Sequence, residues 1–169
     1  LEDLMYAMLL RSANDSAQLI AIGIAGSQEK FVEMMNEKVN ELGLKNSHFV
    51  TPHGLHDKDH YTSAYDLAMI AREAVKYPLF NQIIVTDRWQ LPWADNDYER
   101  VVYNRNQLLD IYEYADGIKN GYTKEAGNCL VSSATKDGMR LIAVVLNCNS
   151  MYEESKKLFE YGFDTYEKQ

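Results

Sequence analysis

Three side chains in this sequence have the types and spacing that acyl-transfer chemistry uses. Ser12 and Asn14 stand two apart in Arg11-Ser12-Ala13-Asn14-Asp15, a junction between two apolar segments, so both polar groups can point into one cleft. Lys119 opens the triplet Lys119-Asn120-Gly121, and a lysine on an edge strand can face such a cleft. A hydroxyl, a carboxamide and an ammonium together supply a proton relay, a group that recognises amides, and positive charge. The same residues have a purely structural reading as well. Ser12 and Asn14 are good caps for a helix starting near Asp15, and a strand lysine is ordinarily solvated.

The elements that must position these groups follow from hydrophobic period. Leu4, Ala7 and Met8, then Ala17, Ile20, Ala21 and Ile24, predict two short helices joined around Arg-Ser-Ala-Asn-Asp. Ser27 suits an N-cap and Gly43 a stop for a third helix, in which Phe31, Met34, Met35, Val39 and Leu42 recur at three- and four-residue steps. A fourth runs from the Ser63-Ala64-Tyr65-Asp66 start, with Ala64, Leu67, Ala68, Ala71, Ala74 and Val75 on one side and Pro78 just past its end. The period then changes. Two β-branched runs flank Lys136-Asp137-Gly138, which reads as an antiparallel hairpin, and Gly-Ile-Lys-Asn-Gly-Tyr-Thr is a strand feeding it through Glu125-Ala126-Gly127. The tail is a helix with Met151, Leu158 and Phe159 as core contacts.

The expected layout is α+β in one partial domain over 1–169: 1–84 mainly helical, 85–110 an extended arm, and 111–169 a three-stranded antiparallel sheet with a C-terminal helix. Leu-Ile-Ala-Val-Val-Leu, the most apolar strand, then falls at or near a sheet edge. Self-association through that exposed edge is the corresponding expectation.

Composition narrows the partners. A formal charge of −8 from 25 acidic and 17 basic residues, with no basic block, disfavours nucleic acid and anionic membrane surfaces, while 46% apolar content supports a real core. No run of about 18 apolar residues occurs, and Leu-Glu-Asp-Leu-Met-Tyr-Ala-Met-Leu-Leu carries two early acids rather than a cationic signal region. Cys129 and Cys148 read as two reduced, half-buried thiols: pairing Lys136 with Met139 puts Cys129 opposite Leu146 and Cys148 on a diagonal about 7–8 Å away, too far for a bridge.

Six segments in order then add a resemblance: Leu9–Ala17, Phe31–Leu55, His60–Ala74, Asn104–Leu109, Ala115–Ala134 and Arg140–Asn147. Together they resemble the low-molecular-mass penicillin-binding proteins that act as serine D-Ala-D-Ala carboxypeptidases, whose signatures are S-x-x-K, S-x-N and K-T-G. The resemblance implies a partial β-lactamase/transpeptidase-like fold and a catalytic set of Ser12, Asn14 and Lys119. Ser12 would bond the catalytic lysine and pass protons toward the leaving group, Asn14 would hold the acyl side, and Lys119 would draw in the terminal carboxylate. Asn120, Gly121, Tyr122 and Thr123 would bind substrate, Tyr122 through its N–H in the oxyanion hole and Thr123 at the carboxylate. The implied substrate is a peptidoglycan stem peptide ending in D-Ala-D-Ala, outside the cytoplasmic membrane, at the cell wall or membrane-associated. β-Lactams are implied ligands of the parent, with no cofactor and no nucleic acid.

The sequence departs from that pattern in three ways. Only eleven residues precede Ser12, so the upstream S-x-x-K tetrad with the nucleophile is missing; the expectation is an inactive fragment that lacks its N-terminal strands and nucleophile helix. Two literal matches, Ser27 to Lys30 and Ser133 to Lys136, are a helix cap and a strand running into a turn. Asn120 replaces the family's threonine, and Asn-Cys-Asn-Ser-Met-Tyr-Glu-Glu-Ser-Lys-Lys offers no carboxylate-binding arginine after the last strand. Those two departures favour one alternative, a non-catalytic penicillin-fold binding or regulatory module. A second alternative is zinc, through His48, His53, His56 and His60 with Asp57 and Asp59. The resemblance accounts for His53 and His60 as structural, which leaves no expected metal ligand set.

Overall fold

The computed structural model describes residues 1–92 and 99–166. It divides into two compact units, one of Leu1–Asp66 with Thr86–Arg105 and one of Leu67–Val85 with Asn106–Gln169.

In the first unit, α1 (Glu2–Arg11), α2 (Asn14–Ala25) and α3 (Gln28–Glu41) pack in sequence, burying Tyr6, Leu10, Ala17, Ile20, Ala21 and Val39. Helix α3 starts and stops as its sequence predicts: the Ser27 hydroxyl accepts the Lys30 N–H at 3.3 Å, and Gly43 follows the last turn at φ 70°. Its apolar stripe is only partly used, because Val39 is buried while Met34 stays exposed. The extended arm is a two-stranded antiparallel ribbon, β1 (Arg88–Leu91) with β2 (Arg100–Tyr103). The Trp93-Ala94-Asp95-Asn96-Asp97-Tyr98 part of the arm lies outside the described residues. The ribbon is anchored to α1 by Trp89, which stacks on Tyr6 with ring centroids 3.8 Å apart and donates its indole N–H to Asp3 Oδ1 at 2.8 Å.

The second unit contains most of α4 (Ala64–Ala74), then α5 (Pro78–Val85), the single turn α6 (Leu108–Ile111), a three-stranded sheet and α7 (Met151–Thr165). The sheet is antiparallel in the order β3 (Ala115–Thr123), β4 (Gly127–Lys136), β5 (Met139–Val145). Lys136 pairs with Met139 across Asp137-Gly138, both at positive φ (51° and 77°), the conformation a type I′ hairpin turn requires. β5 is an edge strand, as the three-stranded layout implied despite its apolar run, and β3 is the other edge.

Pleating assigns the two faces of this sheet. Leu130, Ala134, Ala143 and Val145 turn toward Met151 and Phe159 of α7, and Leu108 and Tyr112 complete that core. Burying Phe159, only 1% exposed, contributes about 2–3 kcal/mol. On the opposite face α5 packs on β3, with Ile84 against Gly117. Lys119 pairs with Val131 in register, one pleat from Ile118 and Ser132, and so stands on the α5 face. Among the described residues, no helix is long and apolar enough to cross a membrane.

Candidate active site

Ser12 and Asn14 belong to the first unit, and Lys119 through Thr123 to the second. Ser12 is the residue that ends α1. It adopts the left-handed conformation, φ 62° and ψ 40°, while its N–H still bonds the Met8 carbonyl at 3.1 Å and the next N–H, of Ala13, folds back to the Ala7 carbonyl at 3.3 Å. The chain then turns so tightly that α2 begins at Asn14, with Ala13 as its N-cap and no side-chain capping bond. Neither Ser12 nor Asn14 caps α2 through its side chain, so the structural reading of the pair as N-caps is not what the structure shows. Both side chains are exposed on one short junction held by two helices, which suits a pair that must be presented to a ligand.

Lys119 is half-buried, and its ammonium donates to the Asn120 carbonyl at 2.8 Å and to Asn120 Oδ1 at 3.3 Å. Gly121 has no atom within 4 Å of the place a Cβ would occupy, and Tyr122 is 69% exposed. Thr123 Oγ1 accepts the Ala126 N–H at 3.0 Å, which closes the turn into β4 and leaves the hydroxyl proton to donate elsewhere. The strand is thus accessible from Gly121 onward.

The other end of β3 is fixed by a polar network that the sequence reading did not single out. Asp116 accepts bonds from Ser133 Oγ and Thr135 Oγ1, each at 2.5 Å, and forms an ion pair with Arg140 Nη2 at 3.2 Å. Arg140 Nη1 also donates to Asn81 Oδ1 of α5 at 2.8 Å. Asp116 sits where the β3–β4 register shifts between Ala115 and Gly117. An acid beside a glycine at a strand start was the available signal, since a register irregularity re-aims a side chain.

Both literal S-x-x-K matches are explained by geometry. In a strand, residues three apart point to opposite faces, so Ser133 joins Asp116 while Lys136 lies over the Tyr114 ring at 5.3 Å and the Phe163 ring at 6.0 Å. Ser27 is occupied as the α3 cap. Neither pair can act as a nucleophile and its base.

Residues 1–150 match the D-alanyl-D-alanine carboxypeptidase family, peptidase S11. The chain belongs to this family. The D-alanyl-D-alanine carboxypeptidase DacF of Bacillus subtilis is 38% identical over 169 residues, a match that covers 98% of this chain and 43% of that protein. A mutant DD-transpeptidase from Streptomyces superposes with a TM-score of 0.91 at 29% identity, covering 96% of this chain and 68% of the other. Penicillin binding protein 5 from Haemophilus influenzae superposes at 0.87 and 38% identity, covering 96% and 47%. The α+β layout is therefore part of the transpeptidase-like fold of this carboxypeptidase family. The chain spans about two fifths of the curated relatives it matches first, 43%, 42% and 40% of their lengths.

The zinc alternative gains no support from the family or from geometry. Among the described residues, no group of three or more His, Cys, Asp or Glu side chains could hold a metal ion. Three of the loop imidazoles are instead bonded to backbone: His48 Nδ1 to the Asp59 carbonyl at 2.6 Å, while His53 Nδ1 and His60 Nδ1 accept the N–H groups of Leu55 and Val50 at 3.2 and 3.1 Å. These bonds shape the loop, and the buried Asp66 anchors it by accepting from Asn46 N–H at 2.9 Å and Ser47 Oγ at 2.8 Å. Both cysteines are free and half-buried.

Proposed function

We propose that this chain is the S-x-N and K-x-G portion of a serine-type D-Ala-D-Ala carboxypeptidase. The observation that carries the reading is a family match whose 1–150 span contains both Ser12-x-Asn14 and Lys119-x-Gly121. The substrate is a peptidoglycan stem peptide, which places the reaction outside the cytoplasmic membrane. A serine on polypeptide outside residues 1–169 attacks the carbonyl between the two D-alanines, its proton passing to a lysine base. An ester forms, the C–N bond breaks, and D-alanine leaves with the relayed proton; water then hydrolyses the ester. That the chain accounts for 43% of DacF supports a nucleophile elsewhere in the whole protein.

In this reading Ser12 relays the proton to the departing amine, and Asn14 holds the acyl segment by its carboxamide. Lys119 attracts the terminal carboxylate and Thr123, whose O–H is left to donate, takes one of its oxygens. The Tyr122 N–H, on the accessible part of an edge strand, stabilises the oxyanion. β-Lactams would acylate the same serine.

The test uses the full-length gene product, a fluorescent penicillin and D-alanine release. Ser12→Ala and Lys119→Ala should each lower kcat/KM about 100-fold. The double variant should be little worse than either, because residues acting as one unit are not additive. Full additivity would separate the two groups, and a wild-type protein that neither labels nor releases D-alanine would leave only the non-catalytic module.

A further inference from the structure

The Lys119 ammonium is held by both oxygens of the residue that follows it, the Asn120 carbonyl at 2.8 Å and Oδ1 at 3.3 Å. Strand alternation sends the Cβ atoms of 119 and 120 to opposite faces, Lys119 with Val131 and Asn120 with Leu130. To reach the Asn120 oxygens, the lysine stem must fold over the rim of the strand. β3 provides that rim because it is the sheet's edge. Beyond the ammonium the strand is open at Gly121 and Tyr122.

We infer that Asn120 is a positioning residue whose carboxamide oxygen tethers the Lys119 ammonium, so that a substrate carboxylate competes with this oxygen for the ammonium. The inference rests on the carboxypeptidase reading above and specifies what sets carboxylate affinity in it. The exchange runs toward substrate because a carboxylate adds a full opposite charge to the hydrogen bond that a neutral carbonyl oxygen gives the ammonium. A threonine at 120 would offer a hydroxyl on Cβ rather than a carboxamide oxygen one bond further out, so the side-chain tether is a property of asparagine here. The main-chain carbonyl is common to every variant, which isolates Oδ1 as the variable.

Three proteins therefore form a ladder of acceptor strength at position 120: Asn120→Ala with none, wild type with a neutral oxygen, and Asn120→Asp with a charged one. In the full-length protein, KM for a D-Ala-D-Ala peptide should fall about fivefold in Asn120→Ala, the worth of one modest hydrogen bond, and rise at least tenfold in Asn120→Asp. The ladder should collapse for the same peptide with its C-terminus amidated. A second readout needs no catalysis: in 15N-lysine NMR, the Lys119 ammonium, assigned by its loss in Lys119→Arg, should exchange protons with water faster in Asn120→Ala than in wild type. If Lys119→Ala leaves activity intact, the carboxypeptidase role of the lysine fails while the exchange experiment still judges the tether. Unchanged exchange, a KM that stays or rises in Asn120→Ala, or a ladder equally steep on the amidated peptide would overturn the inference.

Discussion

Ser12 occupies a backbone conformation that favours glycine, and it does so at an exposed helix end where glycine is the common solution. The left-handed region costs a residue with a Cβ about 1–2 kcal/mol, and strain of this kind persists at functional sites when the side chain has a use there. A hydroxyl retained at that cost is consistent with the proton relay proposed for it. Ser12→Gly should therefore be more stable than wild type by about 1 kcal/mol in urea unfolding and about 100-fold less active. Ser12→Ala should lose the activity without gaining the stability. A Ser12→Gly protein that unfolds more easily than wild type would show that the hydroxyl supports the fold rather than the chemistry. The residue types at 12, 14 and 119 are legible in the sequence because a motif fixes identity and spacing. The oxygens that hold Lys119 are not, because a bond between strand neighbours runs against the alternation from which side-chain directions are read.

Helix α5 illustrates what hydrophobic period misses among the elements. Pro-Leu-Phe-Asn-Gln-Ile-Ile-Val sets Leu79, Phe80, Ile83 and Ile84 at helical spacing over only eight residues, a run too short to stand out by period, and its proline reads as the stop after α4. Pro78 does follow that helix, and it also opens α5, where a missing N–H and a preset φ cost nothing. In α7 the reading expects Leu158 in the core, yet Leu158 is 47% exposed. The buried line is Met151, Ser155, Phe159 and Gly162, because β5 comes so near that a Cβ at Gly162 would lie 2.6 Å from Leu141 Cδ1. Close approach selects small residues, and a scale that rewards apolar size cannot see it. The same closeness governs α5 on β3. Gly117 has φ 147°, and a Cβ there would meet Ile84 Cδ1 at 2.5 Å, on a side chain only 1% exposed. Gly117→Ala should cost about 3 kcal/mol, combining backbone strain with overpacking. Pairing it with Ile84→Val, which removes Cδ1, should reveal a favourable coupling of about 1 kcal/mol in a double-mutant cycle. No coupling would mean that the helix shifts freely and does not fix the strand carrying Lys119.

At the scale of the whole molecule, the α+β order of helices, sheet and closing helix is legible from period alone, whereas the buried polar groups are not. The buried Asp66, 1% exposed, and the half-buried Asp116–Arg140 pair look in sequence like ordinary surface charge, since only tertiary packing supplies their partners. Buried titratable groups also set how stability depends on pH. Burial holds the His60 imidazole below its ordinary 6.5, against the opposing pull of Asp57 and with lesser support from His48, His53 and His56. Geometry requires the same neutral ring, because Nδ1 accepts the Val50 N–H and Phe49 packs edge-on at 5.5 Å. The unfolded chain therefore takes up this proton first as pH falls below 6.5, so the contribution of His60 is complete above that value and is lost on acidification. Tyr112 and Tyr152 act at the other end. Burial raises both above 10.0, with Glu160 and neighbouring charges adding to the effect at Tyr112. Above pH 10 the unfolded chain loses those protons first, and stability falls again. Urea unfolding from pH 5 to pH 11 should thus trace a plateau with two descending arms. His60→Asn should flatten the acid arm specifically, because its Oδ1 can accept the Val50 N–H but cannot be protonated in this range. An acid arm as steep in His60→Asn as in wild type would place the proton uptake on another group.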